Sequence, residues 1–328
     1  MASTEASPSN TVCIGIDFAW WGGLGRGDST SCADIIIGQQ LDAPRLWYRA
    51  TELRKAPNPL AHDPCEPNYD ADATIVTALL SKELERLSSV GTVKVIVAID
   101  APVATSQQGL PARRRALQKG DKGGIVRRSC ETQFLENARR FGGPWGRAVS
   151  VQPGAPLAPR ISRFVDRLTH ELGFVPWNVA MSREELPERT FIEVLPIEAI
   201  WSLGVTGCYG DISSESVTRY RSCERCLVSR DDAMDWARWP LQGFVPLLGD
   251  DCDARAHVET ITRWVGDIRT TNGTLKLTKR YVSLVDAGLS WLTALAFRYG
   301  RFHAFTGSDR DGCLVGPGIL PTRIQCEP

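Results

Sequence analysis

Four carboxylic acids stand where the surrounding sequence is otherwise apolar. Asp17 ends the run Thr11–Ile16, and Asp100 ends the run Val93–Ile99. Glu193 follows Phe191 and Ile192, and Asp286 lies within the largely apolar stretch Tyr281–Tyr299. Carboxylates at the ends of buried strands cost desolvation free energy unless something positive offsets it. A divalent cation is the usual partner of several such groups at once. Each acid alone also has a packing explanation. Asp17 fits a capped strand end, Glu193 an outward position in an alternating strand, and Asp286 the margin of a buried helix face.

A second group carries positive charge. Arg127 and Arg128 open a segment that looks helical, and Glu131 follows them. Arginines at a helix start oppose the helix dipole. Their placement suits a phosphate or carboxylate ligand, and otherwise reads as a solvated basic turn. Arg113–Arg115, Lys119 and Lys122 add charge to the loop before them. The Gly-rich stretch Gly22-Gly23-Leu24-Gly25 has no following Lys, so it is not a GxxxxGK[ST] phosphate loop, and it does not match GxGxxG before a helix.

Other chemistry is weaker. Cys223-Glu-Arg-Cys226 is the sole CxxC pair among ten cysteines, whereas a closed zinc site needs about four ligands. Reduced thiols in a cytoplasmic protein are the expectation. The four histidines, His62, His170, His257 and His303, suggest no Ser-His-Asp order and are expected on surfaces or in turns. Trp20, Trp21, Trp145, Trp177, Trp236 and Trp239 would stack on bases if a nucleic acid binds, but core or interface packing is the commoner use.

The elements that must position these groups follow from periodicity. Val12–Asp17, Ala33–Gln40 and Arg45–Ala50 read as three strands of an antiparallel meander. Ala71–Ser89 has helical spacing, and Val93–Asp100, apolar from Val95 to Ile99, reads as a strand of the kind covered on both faces. Arg127–Arg140 and Pro159–Gly173 read as helices, Thr190–Leu195 as a strand, and Ile197–Gly204 as a short helix. Asp231–Trp239, Ala254–Asp267 and Arg280–Tyr299 follow as helices, and Cys313–Ile319 is expected as an edge strand. Strand-strand-strand-helix-strand implies an α/β chain with a mixed sheet.

Composition excludes some classes. The 38 basic and 38 acidic residues cancel, so no global positive field advertises nucleic-acid binding. No run of about 18 apolar residues exists, so no membrane span is expected. Residues 1–11 lack the basic start and apolar core of a signal peptide and read as a disordered tail.

Taken in order, the motifs resemble the DUF429 family. They are Gly15-Ile16-Asp17, Val97-Ala98-Ile99-Asp100-Ala101-Pro102, Arg127 and Arg128 with Glu131, Glu193-Val194-Leu195-Pro196, Asp286-Ala287, and the segment from Gly316-Pro317 to Pro321. The resemblance implies a ribonuclease H-like fold: a mixed five-stranded sheet, its first three strands antiparallel, flanked by helices. It suggests one such domain over 12–328, with insertions near 101–160 and 205–252. It also implies an acidic site of Asp17, Asp100 and Asp286. Glu193 and the Arg128/Glu131 pair match motifs of unassigned role.

The leading expectation is then a nuclease-like phosphodiester hydrolase. Asp17, Asp100 and Asp286 would hold Mg²⁺ or Mn²⁺, and Glu193 would orient a water or complete the metal shell. Arg127 and Arg128 would hold phosphates of a nucleic acid or a phosphorylated small molecule. One departure bears on it: such families often carry a further acid one turn before the late Asp, and here that residue is Ser283. Two other readings stay open. One is an actin-like or sugar-kinase-like phosphotransferase, though those proteins use two such domains. The other is a catalytically degenerate module that binds a nucleic acid or a protein.

Overall fold

The computed structural model describes residues 11–18, 35–40, 43–49, 67–89, 91, 94–101, 103, 129–140, 157–183, 185–208, 226–227, 229–267, 275–276, 279–306 and 312–320. Residues 1–10 of the expected tail, the turn Gly22–Gly25, the basic loop Arg113–Lys122, Arg127 and Arg128 lie outside them. So do His62, Cys223, Trp20, Trp21 and Trp145. Thr11, expected in the tail, instead opens the first strand.

The strands are β1 (Thr11–Asp17), β2 (Ile35–Gln40), β3 (Ala43–Arg49), β4 (Lys94–Asp100), β5 (Val175–Pro176), β6 (Arg189–Val194), β7 (Cys226–Leu227), β8 (Leu275–Lys276), β9 (Phe302–Thr306) and β10 (Cys313–Pro317). The helices of more than one turn are α1 (Pro67–Ser88), α2 (Ser129–Arg140), α3 (Leu157–His170), α4 (Pro196–Val205), α5 (Arg230–Leu241), α6 (Phe244–Leu248), α7 (Ala254–Gly266) and α8 (Lys279–Arg298). The chain is α/β, as the order of its segments predicts.

Among the described residues the main sheet is mixed and eight-stranded, with spatial order β3-β2-β1-β4-β6-β10-β9 and β5 paired to β6. β1 pairs antiparallel with β2, and β2 with β3. β1, β4, β6 and β10 run parallel, and β9 closes the far side antiparallel to β10. The sheet therefore exceeds the five strands expected. β10 is also not at an edge, because β9 lies outside it. The segment Phe-His-Ala-Phe-Thr forms that outer strand, its side chains alternating between half-buried and buried.

Apolar residues on both faces of β1, β4 and β6 explain why this parallel core is buried on two sides. Cys13, Ile96, Ala98, Ile192 and Val194 belong to one cluster with α8, α4, α5 and α7. Ile14, Ile16, Val95, Val97, Ile99 and Phe191 belong to another with α1 and α3. Part of the stretch 205–252 expected as an insertion therefore builds core. Trp236, Leu241, Phe244 and Leu248 from α5 and α6 are all buried. Ser229 caps α5 by accepting from the Asp232 amide, while the Asp232 side chain accepts from the Ser229 amide.

One close approach fixes α8 on the sheet. A Cβ at Gly15 of β1 would lie 2.5 Å from the Ala287 carbonyl oxygen and 2.7 Å from Trp291 Cα. Only glycine lets strand and helix backbones meet there. One turn away, the Trp291 indole N–H donates to the Cys13 carbonyl at 3.1 Å. These contacts set both the height and the rotation of α8 over β1.

Candidate functional site

Parallel pairing places Asp17 and Asp100 opposite each other as the last residues of β1 and β4. Each lies two residues beyond a side facing α8, Gly15 on β1 and Ala98 on β4, so both carboxylates lie on that face. α8 crosses the same two strands and carries Asp286 one residue before Ala287, whose carbonyl approaches Gly15. The three acids are 3 %, 4 % and 6 % exposed, and each offers an oxygen within 4.8 Å of the others. The group sits at the carboxyl edge of parallel strands, where open α/β sheets bind ligands.

The electrostatics of this group are unfavourable without a cation. Burial raises the Asp17 carboxyl well above the ordinary carboxylate range, and the charges of Asp100 and Asp286 push it further. A hydrogen bond between Asp17 and Asp100 acts in the same direction, because it requires a proton on one of them. The Ser283 hydroxyl opposes these effects by donating to the charged Asp17. Ser283 lies one helical turn before Asp286 and is buried. Three hard carboxylates in this arrangement are able to hold a divalent cation.

Glu193 does not join them. Its Cα partner on β4 is Ile99, whereas Asp100 is opposite Val194. Ile99 and Phe191 belong to the cluster beneath α1 and α3, so alternation turns Glu193 to the face opposite the three aspartates. There it is buried, and its Oε2 accepts the Val103 amide at 2.9 Å. The expectation that it completes a metal shell is corrected by this one-residue step. Glu131 is buried in the first turn of α2. Its expected partners Arg127 and Arg128 are outside the described residues.

A second buried polar group was not foreseen. Glu198 and Ser202 are one turn apart on α4, and the Ser202 hydroxyl donates to Glu198 Oε1. His303 of β9 meets the same carboxylate at 2.7 Å through Nε2 and lies 2.9 Å from the Gly318 carbonyl through Nδ1. A carbonyl only accepts, so Nδ1 carries a proton, and a further proton must lie between Nε2 and Glu198. Gly316 leaves room for this carboxylate, since a Cβ there would collide with it. His303 and His257 are both buried, contrary to the surface placement expected of them. The available signal was Glu198 itself, an acid four residues before a serine in an otherwise apolar helix.

No described helix is long and apolar enough to cross a membrane. In comparisons with protein-family models, with curated proteins and with solved structures, the chain finds no match.

Proposed function

We propose that this chain is a metal-dependent phosphodiester hydrolase of the nuclease-like type. The observation that carries the reading is the convergence of Asp17, Asp100 and Asp286, three buried carboxylates with oxygens within 4.8 Å. Burying three like charges together is costly, and a bound cation turns that cost into affinity. The resemblance of the motif order to that of the DUF429 family, and the ribonuclease H-like arrangement it implies, favour the same reading.

In this proposal the three aspartates hold Mg²⁺ or Mn²⁺ by their carboxylate oxygens. When bound, such an ion acts as a Lewis acid toward a phosphoryl oxygen and lowers the pKa of water. Ser283 orients the Asp17 carboxylate by donating to it. It brings no charge of its own, so we assign the site one ion rather than two. Arg127, Arg128 and the basic loop from Arg113 to Lys122 supply the phosphate contacts, with a nucleic acid or a phosphorylated small molecule as substrate.

The test begins with Mn²⁺ binding, monitored by electron paramagnetic resonance. Wild type is expected to bind, and Asp17→Ala, Asp100→Ala and Asp286→Ala to lose binding. Cleavage is then measured on single- and double-stranded DNA and RNA and on bis-p-nitrophenyl phosphate. Intact metal-dependent cleavage by purified Asp17→Ala or Asp100→Ala protein would sink the mechanism. Binding of Mn²⁺ without cleavage of any of these would reassign the site to ion-dependent recognition.

A further inference from the structure

Glu193 is the acid the candidate site leaves over, and its surroundings assign it a different task. Resting on the metal-site reading above, we infer that Glu193 is a positioning residue that fixes Asp100 through the backbone, from the opposite face of the sheet. β4 ends at Asp100, and the chain must then leave the sheet edge. Pro102 has no amide hydrogen to anchor that exit. The Val103 amide does have one, and it is buried, so it requires an acceptor. Glu193 Oε2 supplies it at 2.9 Å, across 90 positions of sequence.

The geometry gives this bond leverage on the site. Glu193 belongs to β6, paired to Ile99 on one side and to Leu314 of β10 on the other, so its backbone is held within the sheet. Asp100 is the last paired residue of β4, in register with Asp17 on one side and Val194 on the other, so the ladder ends with it. On its C-terminal side the next described anchor is Val103, three residues on. Three residues span at most about 10 Å when extended. The exit is therefore a short span fixed at both ends, with Asp100 at one of them. Ala101 and Val103 are buried along it, consistent with a seated segment. Asp100 is the terminal pair of the ladder, so release of Val103 leaves it open to fraying and loosens the setting of its carboxylate against Asp17 and Asp286.

The role needs an acceptor and does not need a negative charge on a ligand. That distinction separates it from a catalytic or metal-binding role. Glu193→Gln keeps a carbonyl oxygen for the Val103 amide, while Glu193→Met keeps the length of the side chain and removes the acceptor. Mn²⁺ affinity is expected to stay within about twofold of wild type in Glu193→Gln and to fall by about tenfold or more in Glu193→Met. Amide exchange at Val103 is expected to accelerate in Glu193→Met only. In the metal-free protein the ¹³C carboxyl resonance of Asp100 should move in Glu193→Met and stay in place in Glu193→Gln.

Three results overturn the inference. In the first, Glu193→Gln loses Mn²⁺ as severely as Glu193→Met, which would make the charge itself the requirement. In the second, Glu193→Met keeps wild-type Mn²⁺ affinity and an unmoved Asp100 resonance while only its melting temperature falls. In the third, Val103 exchange is equal in all three proteins. If Glu193→Met does not fold, Val103→Pro removes the donor instead and is expected to reproduce the loss of Mn²⁺ affinity. If wild type binds no Mn²⁺, the metal reading fails, and the Val103 exchange and Asp100 resonance still decide the tether.

Discussion

Replacing Asp17 with asparagine is expected to stabilise the metal-free protein at neutral and alkaline pH while abolishing its response to metal. Asp17, Asp100 and Asp286 have oxygens within 4.8 Å of one another. At that separation, with an effective dielectric of about 20, each ionised pair costs about 3 kcal/mol. Burial and the charges of Asp100 and Asp286 raise the Asp17 carboxyl well above its ordinary value, so it holds a proton to higher pH than a free aspartate. A folded pKa above the unfolded one means that the folded state holds more protons in between. Stability from this group is then complete below about pH 4 and declines as pH rises through the folded pKa. The asparagine side chain of the variant would carry no charge at any of these pH values and would keep an oxygen to accept from Ser283. The net gain of Asp17→Asn at pH 8 is therefore roughly 1–3 kcal/mol, on the order of 2–6 °C in melting temperature. Thermal unfolding by calorimetry in EDTA, at pH 5 and pH 8, reads it directly. Wild type should melt lower at pH 8 than at pH 5, the variant should narrow that gap, and Mn²⁺ should raise only wild type. A variant less stable than wild type at pH 8 in EDTA would refute the repulsion argument.

Other perturbations test separate parts of the structure. Ser283→Asp places a further carboxylate one turn from Asp286. It should lower the melting temperature in EDTA and raise Mn²⁺ affinity or stoichiometry, measured by calorimetric titration. Gly15→Val drives a side chain into the backbone of α8 at Ala287 and Trp291. Relief to ordinary contact needs a shift of roughly 1 Å, at a cost of about 1–3 kcal/mol or more, seen in urea unfolding. Glu198→Leu removes the acceptor shared by Ser202 and His303. Leaving buried hydrogen-bonding groups without their acceptor costs about 1–3 kcal/mol, and equilibrium unfolding should show the deficit. Glu198→Gln, which still offers an oxygen to Ser202, should recover part of it.

Asp17 and Asp100 were legible in the sequence because each ends a run apolar at nearly every position. Such a run is a strand buried on both faces, and its carboxyl end is where a polar group has access to a ligand. Glu193 was misplaced for the same reason. With Phe191 and Ile192 both apolar, β6 shows no alternation, so nothing in the sequence says which face position 193 takes. Only the register, Glu193 with Ile99 and Val194 with Asp100, decides it. β9 escaped notice because His303 and Thr306 dilute a short segment, and β10 then looked like the edge of the sheet. α1 begins at Pro67, earlier than the periodicity of its apolar positions indicates, because proline suits the first turn of a helix. The Ser202–Glu198–His303 group joins α4 to a strand about a hundred residues later, a pairing that only the folded topology brings about.

The absent side chain at Gly15 has a consequence for ion size. Asp17 lies two residues beyond this glycine, and Asp286 lies one residue before the Ala287 carbonyl that approaches it. Both carboxylates are thus mounted on backbones in direct contact, with no side chain between them to repack. Mg²⁺ takes oxygens at about 2.0–2.1 Å and Ca²⁺ at about 2.3–2.6 Å, with more ligands. Two aspartates mounted on touching backbones would have only their side-chain torsions with which to draw apart for the larger cation. In the proposed site, a residue that never touches the ion would thus bear on which ion fits.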